Sequence, residues 1–224
     1  MATWTRELEE MVGSRRLETA LDLASCGLPV LPMHHPRAML GRGMVGCSCD
    51  QLGCQAPGRH AIGGLGVGDA TTDPERVRGW WKRWPLANVG TVAGVAVEVV
   101  NLTYPDLAAE LAGWLRAHGA GDGPVVELPS GQLLFLGTAL PASVRGPWLK
   151  RFEGGWAERA AHGVLVPLPP SRLAGLSSGE LVWRTGPHVA LPDGAKLVAA
   201  VMALPAPEQL GAWAATQGVV VGRR

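Results

Sequence analysis

Charge is scarce in this chain. Asp, Glu, Lys and Arg make up 17% of its 224 residues and nearly cancel, leaving a formal net charge of +1. That balance excludes a global electrostatic grip on nucleic acid, so any basic surface must be local. No apolar run approaches the roughly 20 residues that span a bilayer. The opening "MATWTRELEEMVGSRR" mixes both charge signs and has no apolar centre of a secretion signal. A cytoplasmic, reducing setting with no membrane partner is therefore expected. Tyr and Phe are nearly missing, with one and two copies against nine Trp. The 31 Gly and 18 Pro, beside free use of Ala, Arg and Val, suggest a GC-rich bacterial genome. The length fits one large domain or one domain with a subdomain, and 47% hydrophobic residues suffice for a substantial core.

Three of the four cysteines fall within "CSCDQLGCQAPGRH", residues 47–60. In a reducing compartment such clusters are metal ligands or catalytic thiols more often than disulfides. The pattern Cys-x-Cys-x4-Cys-x5-His runs through Cys47, Cys49, Cys54 and His60. Three thiolates and an imidazole suit tetrahedral Zn²⁺, and four protein ligands leave no open position, so the expected zinc is structural. A Cys47–Cys49 disulfide would close too small a ring to brace anything. His34 and His35 are the substitutes for His60 as fourth ligand. Cys26, far upstream at a helix end, reads as a buried free thiol. The stretch 34–70 has little periodicity and much Gly, the composition of a long loop that a metal would organise.

The rest of the chain alternates helix and strand signals. Leu17, Ala20, Leu21 and Ala24 give a helix stopped by Gly27, and "LPVLPM" a short edge strand. Thr72 and Glu75 form a capping box, with Pro74 in the first turn. Val77, Trp80, Trp81 and Trp84 follow the helical period, so these tryptophans are expected in the core. A strand or strand pair covers 89–100, interrupted near Gly94, and Pro105 opens a helix with Leu107, Leu111, Trp114 and Leu115 on its buried stripe. "VVELPSGQLLFLG" gives two strands joined at Pro129-Ser130-Gly131. Trp148, Phe152 and Trp156 are packing anchors, "GVLVPLPPS" and "GELVWR" a further strand pair, and 193–218 two short helical patterns. The expected class is mixed α+β with a largely antiparallel sheet.

Several stretches together resemble the N-terminal domain of bifunctional DNA primase/polymerases, of the archaeo-eukaryotic primase superfamily. They are "LASCGLPVLPM", the Cys/His loop ending "APGRH", "DATTDPERVRGWWKRWPLANVGTVAG", "LPSGQLLFL" and "LVPLPPSRLAGLSSGELVW". Their order and spacing hold from about residue 17 to 185. The resemblance implies a primase-polymerase core over 1–192, an RRM-like sheet joined to a smaller α/β unit, with the zinc-bearing loop 34–70 inserted. Residues 193–224 would follow as a C-terminal helical segment and tail.

The family's chemistry requires an Asp-x-Asp pair on a strand, where residues i and i+2 share a face and can hold Mg²⁺ or Mn²⁺. The corresponding strand here reads "VAVEVVNL". Glu98 has Val100 as its i+2 partner, and Asn101 has Val99 as its i−2 partner. Glu98 and Asn101 themselves fall on opposite faces of a regular strand. Every register loses a carboxylate. The family's histidine after Ser-Gly-Gly falls at Leu133 or Leu134, and the third acid has only Glu153 and Glu158, neither in an obvious strand context. The remnant catalytic positions are thus Glu98, Asn101 and Leu134. Asp106 and Asp122 are the alternative acids, though neither has an i+2 acidic partner.

Candidate contacts to nucleic acid or nucleotide are Arg59 beside the cysteines, Arg78 and Lys82 on the tryptophan helix, Ser130, and Arg172 after Pro-Pro-Ser. Arg76, Arg83, Arg145, Lys150 and Arg151 are further basic groups, all equally readable as solvated surface. Three readings remain open: a catalytically degenerate, zinc-stabilised module binding DNA, RNA or a nucleotide; an active metal-dependent nucleotidyltransferase with relocated acids; and a protein-interaction module. No Walker motif appears, so a complete replication enzyme with its own helicase is not expected.

Overall fold

A computed structural model describes residues 2–38, 45–140, 157–174 and 178–204. The expected α+β class is what the protein has, and every strand ladder among the described residues is antiparallel. Trp148, Phe152 and Trp156, the basic groups Arg145, Lys150 and Arg151, Glu153, and the second C-terminal helical pattern lie outside the described residues.

Helix α1 (Ala2–Ser25) ends where Gly27 takes a φ of +80°. Its buried stripe runs through Gly13, Arg16, Ala20, Leu23 and Ala24, rotated from the expected one, and Leu17 and Leu21 are only partly covered. Helix α2 (Pro74–Arg83) is capped one residue later than the Thr72–Glu75 pattern predicts. Pro74 holds the first helical position, so Asp73 becomes the cap and accepts the Glu75 N–H at 2.9 Å. Trp81 is buried and donates its indole N–H to the Ala87 carbonyl at 3.3 Å, while Trp80 and Trp84 pack against the same core.

Two sheets carry the architecture. The smaller places β1 (Leu31–Met33) and β9 (Leu165–Leu168) on either side of β4 (Asn88–Val92), so β1 is the edge strand its prolines predict. The larger has five strands, ordered β12 (Val182–Thr185), β6 (Val125–Glu127), β7 (Leu133–Thr138), β5 (Val97–Leu102) and β8 (Ala157–Arg159). Two short hairpins complete it: β2 (Pro36–Ala38) with β3 (Val45–Cys47), and β10 (Arg172–Leu173) with β11 (Gly179–Glu180).

The segment 89–100 is therefore two strands that do not pair with each other, and the expected pair of "GVLVPLPPS" with "GELVWR" does not form either. β4 and β5 are joined by four residues yet enter different sheets, and β9 pairs with β4 while β12 pairs with β6. Sequence proximity favours a hairpin, but the apolar runs of β4 and β9 are buried on both sides and find each other instead.

The larger sheet has a core on each face. Val100, Leu102, Leu133 and Phe135 meet α3 (Ala108–Ala117) and α4 (Gly194–Ala203) through Leu111, Leu115, Leu197 and Val201. Val97, Val99, Val126, Leu134 and Leu136 belong to the second core, with α1, α2 and the smaller sheet. Alternation along each strand separates the two sets. Among the described residues no helix is long and apolar enough to cross a membrane.

Candidate metal centre and the predicted active-site strands

The ligand atoms of Cys47, Cys49, Cys54 and His60 all lie within 4.8 Å of one another. The Cys47 and Cys54 thiols sit 3.3 and 3.4 Å from His60 Nε2. A tetrahedral ion with Zn–S of about 2.3 Å and Zn–N of about 2.0 Å holds its donors roughly 3.5–3.8 Å apart, so this donor set fits zinc.

Local structure explains the convergence. Cys47 ends β3, whose hairpin with β2 fixes it opposite Pro36. Asp50 and Gly53 adopt left-handed backbone, at φ of +60° and +73°, and curl the loop so that Cys49 and Cys54 turn back toward Cys47. His60 is held because its carbonyl accepts the His34 N–H at 2.8 Å. Burial pushes the Cys49 thiol up, but hydrogen bonds from the Gln51 backbone and the other two thiols outweigh it, and the group titrates below the ordinary thiol range. Burial pushes Cys54 up, and its thiol neighbours add to that rise.

His34 and His35 are not in the cluster. His34 Nδ1 engages the Ser48 hydroxyl at 2.8 Å, and the same hydroxyl accepts the His35 backbone N–H at 3.0 Å. Cys26 is exposed, not buried: its thiol lies 3.4 Å from His188 Nδ1, and His188 Nε2 lies 3.1 Å from Asp22. It takes no part in the four-residue cluster.

The strand predicted to carry catalytic acids is regular from Val97 to Leu102, with an unbroken register against β7. Alternation therefore sends Glu98 and Asn101 to opposite faces, as their spacing requires. Glu98 is fully buried on the helix side, where its carboxylate meets the Arg159 guanidinium in a two-pronged ion pair, one contact measuring 2.9 Å. The start of α4 lies directly over it, since a Cβ on Gly194 would come within 3.3 Å of the Glu98 Cβ.

The other face aligns three positions across three strands. Asn101 stands opposite Leu134 on β7 and opposite Glu158 on β8. Glu158 is thus in a strand after all, which its three-residue length concealed. It is exposed, while Leu134 is 7% exposed and belongs to the apolar core. Asn101 donates to the Gln132 side chain at 3.4 Å, and its own side-chain oxygen is buried without a partner. Val99, the i−2 neighbour of Asn101, is 1% exposed and packs in the same core. The alternative acids lie elsewhere: Asp106 is exposed before α3, and Asp122 is ion-paired to Arg116 at 2.7 Å.

The residues 20–207 match one protein family, described as "Bifunctional DNA primase/polymerase, N-terminal". The chain belongs to that family. No curated protein and no solved structure matches it. Several of its resembling stretches have structural duties in this primase/polymerase-like fold. Asn88 of "PLANVG" is fully buried; its amide donates to the carbonyls of Gly58 at 3.1 Å and Arg172 at 2.7 Å, and its oxygen accepts the Arg172 N–H. Ser171 of Pro-Pro-Ser both accepts from and donates to the Val89 backbone at 2.9 Å. These buried polar residues were not singled out from sequence; a lone Asn and Ser beside apolar strands was the available signal.

The candidate binding residues are dispersed. Arg59 and Arg172 are exposed, on the Cys/His loop and on β10, and Asn88 ties the backbones of Gly58 and Arg172 together. Ser130 is exposed in the β6–β7 turn, its hydroxyl accepting the Gln132 N–H at 3.4 Å. On α2, Lys82 is exposed and Arg78 lies 3.9 Å from Glu75. Arg76 and Arg83 lie over the rings of Trp80 and Trp84, at 5.1 and 4.8 Å.

Proposed function

We propose that this primase/polymerase-like protein is a zinc-stabilised module that binds nucleic acid or nucleotide and has given up nucleotidyl transfer. One observation carries the reading. The regular β5 strand commits Glu98 to a buried pair with Arg159, so the face bearing Asn101 offers Val99 where a second metal-binding carboxylate is needed. Neutral Asn is a weak ligand for a hard divalent cation, and valine is none. Among the described residues of that sheet face, one carboxylate, Glu158, stands opposite Asn101. Zn²⁺ at Cys47, Cys49, Cys54 and His60 has four protein ligands and serves to order the loop.

The active alternative is favoured by one observation, the placement of Glu158 opposite Asn101. A primer-extension assay with Mg²⁺ or Mn²⁺ separates the two. The expected result is no dNTP incorporation above a no-protein control. Incorporation abolished by Glu158→Ala would overturn the degenerate reading. Gel shifts over a salt series test binding: affinity should fall steeply with salt. Absence of any DNA or RNA shift at low salt would favour a protein-interaction module instead.

A further inference from the structure

A cavity of about 210 Å³ opens between the N-terminal helix, the metal-side hairpin and β10. Its polar lining is Arg15, Arg16, His35, Arg172 and Glu180. Arg16 is 4% exposed; one of its terminal nitrogens donates to the Leu86 carbonyl, and its Nε has no partner. His35 Nδ1 is likewise buried and unpartnered. Arg15 is paired with Glu180 at 3.0 Å, and the exposed Arg172 guanidinium has no ion pair among the described residues. Three guanidiniums against one carboxylate leave a surplus of two positive charges. A buried arginine at the helix's core-facing period, with a donor left over, is costly unless something accepts from it.

From this geometry we infer that the cavity is a binding site for a phosphate dianion, held by Arg15, Arg16 and Arg172 with His35 at its floor. Guanidinium forks match tetrahedral oxyanions, and the surplus charge matches a doubly charged one. The volume is below the roughly 300 Å³ at which pockets enclose whole drug-sized ligands, so it takes the phosphate and leaves any nucleoside outside. The electrostatics agree. Burial, then the neighbouring Arg172 and Arg15, hold the Arg16 guanidinium down at about 10 against the opposing pull of Glu180. The site deepens the nucleotide-binding reading and rests on it only for the source of the phosphate.

The test is calorimetric titration of the full chain with inorganic phosphate, a nucleoside 5′-monophosphate and the parent nucleoside. Arg172→Gln is the main variant, because its fold contacts are made by its backbone and survive the change. Arg15→Gln is the second, and far-UV dichroism confirms that both fold. Phosphate and monophosphate should bind and the nucleoside should not, with each variant weakening binding about tenfold or more. A monophosphate at least several-fold tighter than phosphate identifies a nucleotide as the source; equal affinities identify free phosphate. Unchanged affinity in both variants, or no heat from either anion up to roughly 10 mM, overturns the site. Gel shifts keep the two readings apart. DNA binding without phosphate binding overturns this site alone, whereas phosphate binding lost in Arg172→Gln supports it even if DNA is ignored.

Discussion

Glu98→Ala, the natural probe of a suspected catalytic acid, should act here through stability. Glu98 is fully buried and Arg159 is 6% exposed, with α4 closing over the pair. Removing the carboxylate takes away the two-pronged partner of a guanidinium that is almost wholly out of water. Breaking a buried pair from one side costs about 3–5 kcal/mol. Against a typical domain stability of about 5–15 kcal/mol this is a large share. At about 2–4 °C per kcal/mol for a chain of this size, the midpoint should drop by roughly 6–20 °C. Thermal unfolding followed by tryptophan fluorescence measures the midpoint, and urea unfolding the free energy. Replacing both partners, Glu98→Met with Arg159→Met, should recover most of the loss, because neither member of the pair is then buried without the other. The reasoning fails if the single variant loses less than about 1 kcal/mol, or if the double variant is as unstable as the two singles added.

Purified without chelator, the protein should hold one equivalent of zinc; His60→Ala and Cys54→Ser should lose it and Cys26→Ser should keep it, read by elemental analysis, and less than about half an equivalent in the native chain counts against the site. Gly58→Ala should cost about 2 kcal/mol or more, since the residue sits at φ +83° and a Cβ would lie 2.8 Å from the Arg172 carbonyl and 3.1 Å from the Asn88 amide; denaturant melts that match the native chain would refute it. His35 is held down at about 4 by burial and by Arg16, His34 and Arg37, against an ordinary value of 6.5. The unfolded chain therefore binds the extra proton between those values, and stability should fall as pH drops from 6.5 toward 4. Zinc-loaded His35→Gln should show a shallower fall in that window, and an identical slope would refute the assignment.

What was legible in the sequence was local. The cysteine spacing pointed to a grouping of donor side chains that the fold makes because all four lie within one loop, and the β6–β7 turn was legible because Pro129-Ser130-Gly131 joins neighbours in one ladder. The opposed faces of Glu98 and Asn101 followed from strand alternation alone. Long-range pairing was not legible: nothing in "GVLVPLPPS" distinguishes β4 from β12 as a partner. Glu158 was hidden by a strand of three residues, and Arg16 by an expected helical stripe set one residue out of phase with the buried one. Polar residues that close a core, such as Asn88 and Ser171, look like loop residues until their partners arrive from over 80 positions away.

Asn88 has a thermodynamic corollary. One amide group bonds both the loop that carries His60 and the backbone of Arg172, so the two ends cannot vary independently. Any free energy that ordering Gly58 lends to Arg172 must be returned in equal measure by whatever orders Arg172. Metal occupancy and anion affinity should therefore report on one another. Stripping the ion should loosen phosphate, and saturating phosphate should slow loss of the ion to a chelator. Asn88→Ala should uncouple the two while leaving both sets of ligating side chains in place.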